Sequence, residues 1–184
     1  IPLCPPRCLM YAIQVSRLFR PGTFPEGEIM EHPREFNMFR ITSEEKRAAD
    51  RIHSDLYDSV RHAAEVHRQV RKHAQSYIQP GIKLSEMCER IEETNRLLVE
   101  EAGLDAGIAF PTGCSINHCA AHYTPNPGDD TVLQYGDVMK VDFGTQINGR
   151  IIDCAWTVSF DPRYDNLLAA VKAATNEGIR VRVC

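Results

Sequence analysis

Two aspartates stand in a stretch that otherwise reads as buried strand: Asp142 and Asp153 in "KVDFGTQINGRIIDCAWTV", residues 140–158. Charged side chains seldom sit inside strands unless something pairs with them. Asn148-Gly149 between them is a strong two-residue hairpin signal, because both central positions of a type I′ turn need positive φ. A hairpin closed at that turn pairs Asp142 with Ala155, and Asp153, two residues along the same strand, shares its face. The two carboxylates are then diagonal neighbours, roughly 7–8 Å apart at the backbone. Held together without a cation they repel, which raises one pKa. A divalent cation would relieve this, and carboxylate oxygen suits Mg, Mn, Fe, Co or Zn. The other face carries Met139, Val141, Phe143, Ile152, Cys154, Trp156 and Val158 and reads as core. Spacing leaves a second reading open, in which the aspartates line the wet face of an antiparallel hairpin.

"FPTGCSINHCAAHYTPN" gathers Cys114, His118, Cys119 and His122 within nine residues. The C-x4-C and H-x3-H spacings invite a structural zinc site. Against it, the two pairs interleave, and the adjacent His118 and Cys119 would struggle to reach one ion from an extended segment. His122 is different, because it sits where a strand runs into the loop Tyr123-Thr124-Pro125, a position from which a histidine can serve catalysis. A histidine satisfied by neighbouring backbone fits the same pattern. His53, His62, His67 and His73 fall on the first long helix and read as solvated-face residues, and His32 belongs to the segment ahead of it.

The elements that must position these groups are legible in outline. Residues 1 to about 40 hold six of the eleven prolines and show no sustained period, which predicts an irregular N-terminal extension. From 41 to 184 the chain reads as one organised unit. Thr42 with Glu45 makes a capping box, and Ala48, Ala49, Ile52, Leu56, Val60, Ala63, Ala64, Val70 and Ala74 form a stripe that predicts one helix of about nine turns, stopped by Pro80-Gly81. A second helix is expected with a cap near Ser85, with Met87, Ile91, Leu97 and Leu98 inward and Gly103 as its stop. Residues 104–160 are strands punctuated by Pro, Gly and Asn. Asp161-Pro162 opens a third helix over roughly 163–176, with Gly178 ending it. Helices flanking an antiparallel sheet predict an α+β fold.

The 184 residues are 43% hydrophobic and 25% charged, ordinary for a globular protein, and a net charge of −4 gives no reason to expect nucleic acid or acidic membrane as the main partner. No run approaches the ~20 apolar residues of a membrane span. The start "IPLCPPRCLMYAIQ" lacks a continuous apolar signal segment and an initiator methionine, which predicts a processed chain or a fragment. Seven scattered cysteines, an odd number, suit free thiols and a cytoplasmic setting better than a disulfide framework.

"AFPTGCSINHCAAHYTPN", "VLQYGDVMKVDFGTQINGRIIDCAWTV" and "AAEVHRQVRKHAQSYIQPG" together resemble the eukaryotic type 2 methionine aminopeptidases, in the same order and over about three quarters of the chain. "LFRPGTFPEGE" is similar to the segment just ahead of the catalytic domain in that family. The resemblance implies a pita-bread fold and a centre of two divalent ions (Co, Mn, Zn, Fe or Ni) that removes the initiator methionine from nascent proteins. By motif, Asp142 in "KVDFGT" would bind one ion and Asp153 in "IIDCAW" would bridge both. His122 in "CAAHYTP" would contact substrate beside the scissile bond, and Phe110 in "AFPTG" would line the pocket for the methionine side chain. The partners implied are the N-termini of nascent chains, with the ribosome or translation initiation factors as further candidates. Non-catalytic relatives, the proliferation-associated proteins, lose metal ligands; here both aspartates remain and "HYTPN" matches the catalytic branch.

The family's remaining ligands, one histidine and two glutamates, come from a second half that packs against this one. After Asp153 the chain has no histidine and one glutamate, Glu177, which matches no ligand motif. The expectation is an N-terminal half with little peptidase activity alone. Two classes of function follow: an incomplete form of the aminopeptidase, or a catalytically inactive chain acting through contacts with the translation machinery.

Overall fold

The computed structural model describes residues 13–27 and 43–181. Their elements are a short helix α1 (Val15–Leu18), helices α2 (Glu44–Ile52), α3 (Ser54–Gln75) and α4 (Leu84–Val99), strands β1 (Ala106–Ile108), β2 (Gly113–Ile116), β3 (Val138–Ile147) and β4 (Arg150–Ser159), a 3-10 turn (Pro162–Tyr164) and helix α5 (Asp165–Val181). All the strand pairings are antiparallel, and β3 is the common partner of the other three strands. β1 and β2 follow one another along one edge of β3, against residues 145–147 and 139–142, while β4 lines the other edge over its whole length. Helices α3 and α4 pack on the sheet through Val66, Val70, Met87, Ile91 and Leu98, which meet Val141 and Phe143 in one buried cluster. The architecture is α+β, as helices flanking an antiparallel sheet predict. Among the described residues no helix is long and apolar enough to cross a membrane.

The hairpin follows the sequence closely. Asn148 and Gly149 take φ of 52° and 71°, and Asp142 pairs with Ala155. Met139, Val141 and Phe143 are buried on the helix side, with Trp156 edge-on to Phe143 at 6.1 Å between centroids. The helices differ from the sequence expectation. The expected single helix from 42 is two, broken at His53, where ψ opens to 9°. Ile52 is 77% exposed, so no packing holds the first segment in line with the second. Thr42 lies outside the described residues; the cap in place is Ser43, whose hydroxyl accepts from the Lys46 N–H at 3.4 Å.

Helix α4 starts at Leu84 rather than after a Ser85 cap, because the Thr131 carbonyl accepts the Leu84 N–H at 3.0 Å and does the work of a side-chain cap. It ends before Gly103, at Glu100, which adopts the left-handed conformation (φ 58°) while Glu101 N–H returns to the Arg96 carbonyl. Leu97 is 45% exposed, since the inner stripe runs through Ile91, Asn95 and Leu98 and leaves it a turn-third away. Asp161 does cap the 3-10 turn through the Arg163 N–H, but α5 continues past Gly178 to Val181.

Residues 13–27 run over the helices. Val15 is fully buried, Phe24 stacks on the His62 ring at 4.6 Å, and the Gly22 N–H is held by Asp58 at 2.9 Å.

Candidate active site

The outer face of the hairpin brings Lys140, Asp142 and Gly144 of β3 against Thr157, Ala155 and Asp153 of β4. Asp142 is half-buried and Asp153 exposed. Burial pushes the Asp142 carboxyl pKa up, and Asp153 pushes it further, through its charge and through direct side-chain contact. The His122 ring acts on it in the opposite direction, so all three groups share one neighbourhood. Oδ1 of Asp142 is buried and has no hydrogen-bond partner. An ionised carboxylate in that position is unstable by itself, and a cation placed between the two aspartates would supply what the fold leaves out.

His122 reaches this face because its loop folds back along β2. The Cys114 N–H donates to the Tyr123 carbonyl at 2.8 Å, the Tyr123 N–H to Ser115 Oγ at 3.1 Å, and the Thr124 hydroxyl to the Thr112 carbonyl at 3.0 Å. His122 itself sits at φ 65°, left-handed backbone that a non-glycine residue rarely adopts, with an exposed side chain. Phe110 arrives from the segment between β1 and β2. Its ring lies over Gly144, where an added Cβ would come within 2.5 Å of Phe110 Cε1 and 2.8 Å of Ala109 Cβ. Gly144 pairs with Asp153 across the hairpin, so the absent side chain is what lets an aromatic ring lie beside the aspartates.

The four predicted site residues therefore converge. The neighbouring Cys and His residues do not join them. Cys114 points to the core against Cys88, whose thiol donates to the Thr112 carbonyl, and His118 is exposed. Among the described residues no group of three or more His, Cys, Asp or Glu side chains is placed to hold one ion.

Three of the helix histidines overturn the solvated-face expectation, while His53 is exposed. His67 and His73 are buried, and His62 is half-buried beneath Phe24. His67 stacks flat on Phe143 at 3.9 Å, and its Nε2 lies 2.9 Å from the Phe143 carbonyl. Burial drives its pKa down to about 4, so the ring is neutral near pH 7 and carries its proton on Nε2, donating to that oxygen. The sequence held a signal for this: His67 falls four residues after Ala63 and three before Val70, on the apolar stripe itself. Asn95 was missed for the same reason, a polar residue at an inward position between Ile91 and Leu98.

Residues 58–183 match metallopeptidase family M24. Methionine aminopeptidase 2 of Dictyostelium discoideum is 58% identical over 167 residues, covering 91% of this chain and 38% of that protein. Methionine aminopeptidase 2 of Schizosaccharomyces pombe is also 58% identical over 167 residues, covering 91% and 39%. Methionine aminopeptidase 2A of Arabidopsis thaliana is 54% identical over 178 residues, covering 94% and 40%. The chain thus spans about two fifths of the length of these relatives. Among solved structures, a prolidase from Thermococcus sibiricus superposes with a TM-score of 0.51 at 22% identity, over 70% of this chain and 36% of its own. An X-Pro aminopeptidase from Thermotoga maritima gives 0.50 at 21%, over 77% and 37%. These two share the fold, helices packed on an antiparallel sheet in the pita-bread arrangement.

Proposed function

Because the chain belongs to metallopeptidase family M24, we propose that it carries the aspartate-bearing part of a metal-dependent aminopeptidase that removes the initiator methionine from nascent proteins. The observation that supports this most is the buried, unpartnered Oδ1 of Asp142 beside Asp153 on a face that also receives His122 and Phe110. The substrate follows the relatives, which are methionine aminopeptidases 2 and 2A. Residues from about 41 onward are then the first portion of the peptidase domain.

In this reading Asp142 and Asp153 would hold the divalent metal, with Co, Mn, Zn, Fe or Ni as the candidates. When bound, such ions would supply Lewis-acid chemistry, polarising the scissile carbonyl and lowering the pKa of a water at the site. The chain's own residues do the rest. His122, on its loop beside Asp142, donates a hydrogen bond to the substrate as negative charge develops at the scissile bond. Phe110 offers an aromatic wall to the methionine thioether, a contact sulfur favours. Substrates that emerge at the ribosome make contact with the ribosome or initiation factors, and a cytoplasmic setting, part of the same proposal. The described cysteines 88, 114, 119 and 154 are all free.

A transplant tests this directly. Residues 43–181 replace the matching part of the Schizosaccharomyces pombe methionine aminopeptidase 2, and methionine release from a Met-Ala-Ser peptide is followed with Mn2+. The expected result is a working chimaera whose activity falls by about 100-fold or more on Asp153→Ala or Asp142→Ala. A folded chimaera without activity, or activity indifferent to both aspartates, would contradict the proposal.

A further inference from the structure

Strand β3 changes partners in mid-course. β2 covers residues 139–142 and β1 covers 145–147, so Phe143 and Gly144 fall in the gap between them. These two residues directly follow Asp142, and Gly144 pairs with Asp153. On that edge the Gly144 carbonyl lies outside both ladders and takes only the Ala109 N–H from the bridging segment, while Phe143 keeps Cys154 of β4 as its partner on the other edge.

Two buried side chains from two helices reach the carbonyls of these residues. His67 on α3, 2% exposed, donates through Nε2 to the Phe143 carbonyl at 2.9 Å. Asn95 on α4, 1% exposed, donates through Nδ2 to the Gly144 carbonyl at 3.0 Å and accepts from the Thr145 hydroxyl at 2.9 Å through Oδ1. The Gly144 carbonyl also takes the Ala109 N–H at 2.9 Å, which is the residue ahead of Phe110. One turn earlier on the same helix, Glu92 Oε1 accepts the Thr112 N–H at 2.9 Å. A single face of α4 therefore holds the Thr112 end of the segment that bridges β1 and β2 directly, and meets its Ala109 end through the Gly144 carbonyl that Asn95 shares with it.

An asparagine on an apolar stripe loses side-chain solvation, and a leucine there would pack against the same neighbours. Satisfying buried carbonyls explains a polar residue, but one carboxamide serving a backbone carbonyl and a neighbouring hydroxyl at once fixes position as well. We propose that Asn95 is a positioning residue of the aspartate face, with His67 as its companion. It fixes where β3 passes from β2 to β1, and with that how Asp142 sits against the β2 edge and the seat of Phe110 over Gly144 beside the aspartates. The proposal rests on the reading of the two aspartates as cation ligands.

Amide hydrogen exchange and Mn2+ binding, measured on the same purified chain, test it. In Asn95→Leu, which keeps the bulk and removes both hydrogen bonds, amides of residues 143–146 and 152–155 exchange about tenfold faster while those of Val66, Val70 and Met87 keep their rates. Affinity for Mn2+ falls about tenfold with the protein fully folded. Thr145→Val shifts exchange in the same residues and serves where Asn95→Leu fails to fold; Thr145→Ser, which keeps the hydroxyl, stays at the starting rates. Uniform acceleration across the helices and sheet would mean a stability effect alone and would overturn the proposal, as would unchanged exchange. A wild-type chain that binds Mn2+ no better than Asp153→Asn removes the cation reading instead, and the exchange pattern then decides the clamp by itself.

Discussion

At Asp142, burial and the neighbouring Asp153 act in the same direction on one carboxyl, and the fold leaves its Oδ1 without a partner. A pKa raised in the folded state means that the stability tied to this group is present at low pH and is lost as pH rises through the folded value. Above that value the Asp142 charge is a cost in the metal-free chain. Asp142→Asn is therefore expected to raise the thermal midpoint of metal-free protein at pH 7 and to reduce the stabilisation gained from Mn2+, both read by scanning calorimetry. His67 works with the opposite sign. Its pKa drops from 6.5 to about 4 on folding, so stability falls as pH is lowered between those values, by about 3 kcal/mol when complete. Arg71 and Asp153 push on the ring in opposite senses, which leaves burial in control. Urea midpoints taken across that window, with the His67 ring followed by NMR, check it. At Gly144 the constraint is steric: Gly144→Ala meets the Phe110 ring and costs about 1–3 kcal/mol in urea unfolding, part of which Phe110→Ala returns. The residue types and spacing exposed the aspartates, because strands with a tight turn have few registers. They did not expose His67 and Asn95, since a polar residue on an apolar stripe gains its meaning from whichever carbonyl the folded chain brings against it.

Among the elements, the hairpin was the most legible, because Asn148-Gly149 fixes turn type and turn type fixes register. Replacing Gly149 (φ 71°) by Val should cost about 1–2 kcal/mol and loosen β4 first, seen as faster exchange at residues 150–154. Helix limits were less legible. Gly178 is tolerated inside α5, and Glu100 takes the left-handed turn expected of Gly103, because glycine permits a stop without requiring one. Thr131 likewise replaces a Ser85 cap with a contact from far along the chain, which no local pattern announces. Helix α5 is amphipathic, yet Leu167, Val171 and Ile179 are exposed, and through Arg180 none of its residues is buried among the described ones. A helix with so little packing opens easily. Its amides are expected to exchange faster than those of α3 and α4 by orders of magnitude; equal protection would contradict this packing.

For the molecule as a whole, long motifs in the right order pointed to the family that the match over residues 58–183 shows, and the helix-on-sheet architecture agrees with the two solved structures. The chain spans about two fifths of its relatives, and the described residues bring two carboxylates to the proposed centre. Two carboxylates bind a divalent ion weakly compared with a complete set of ligands. The most direct test of the account is therefore to locate that weak binding. Mn2+ is titrated into the isotope-labelled chain while amide signals are observed. The account predicts paramagnetic broadening centred on residues 142, 144, 153 and 155, reaching His122, and lost in the Asp142→Asn, Asp153→Asn double variant. Broadening centred elsewhere, or unchanged in the double variant, would contradict it.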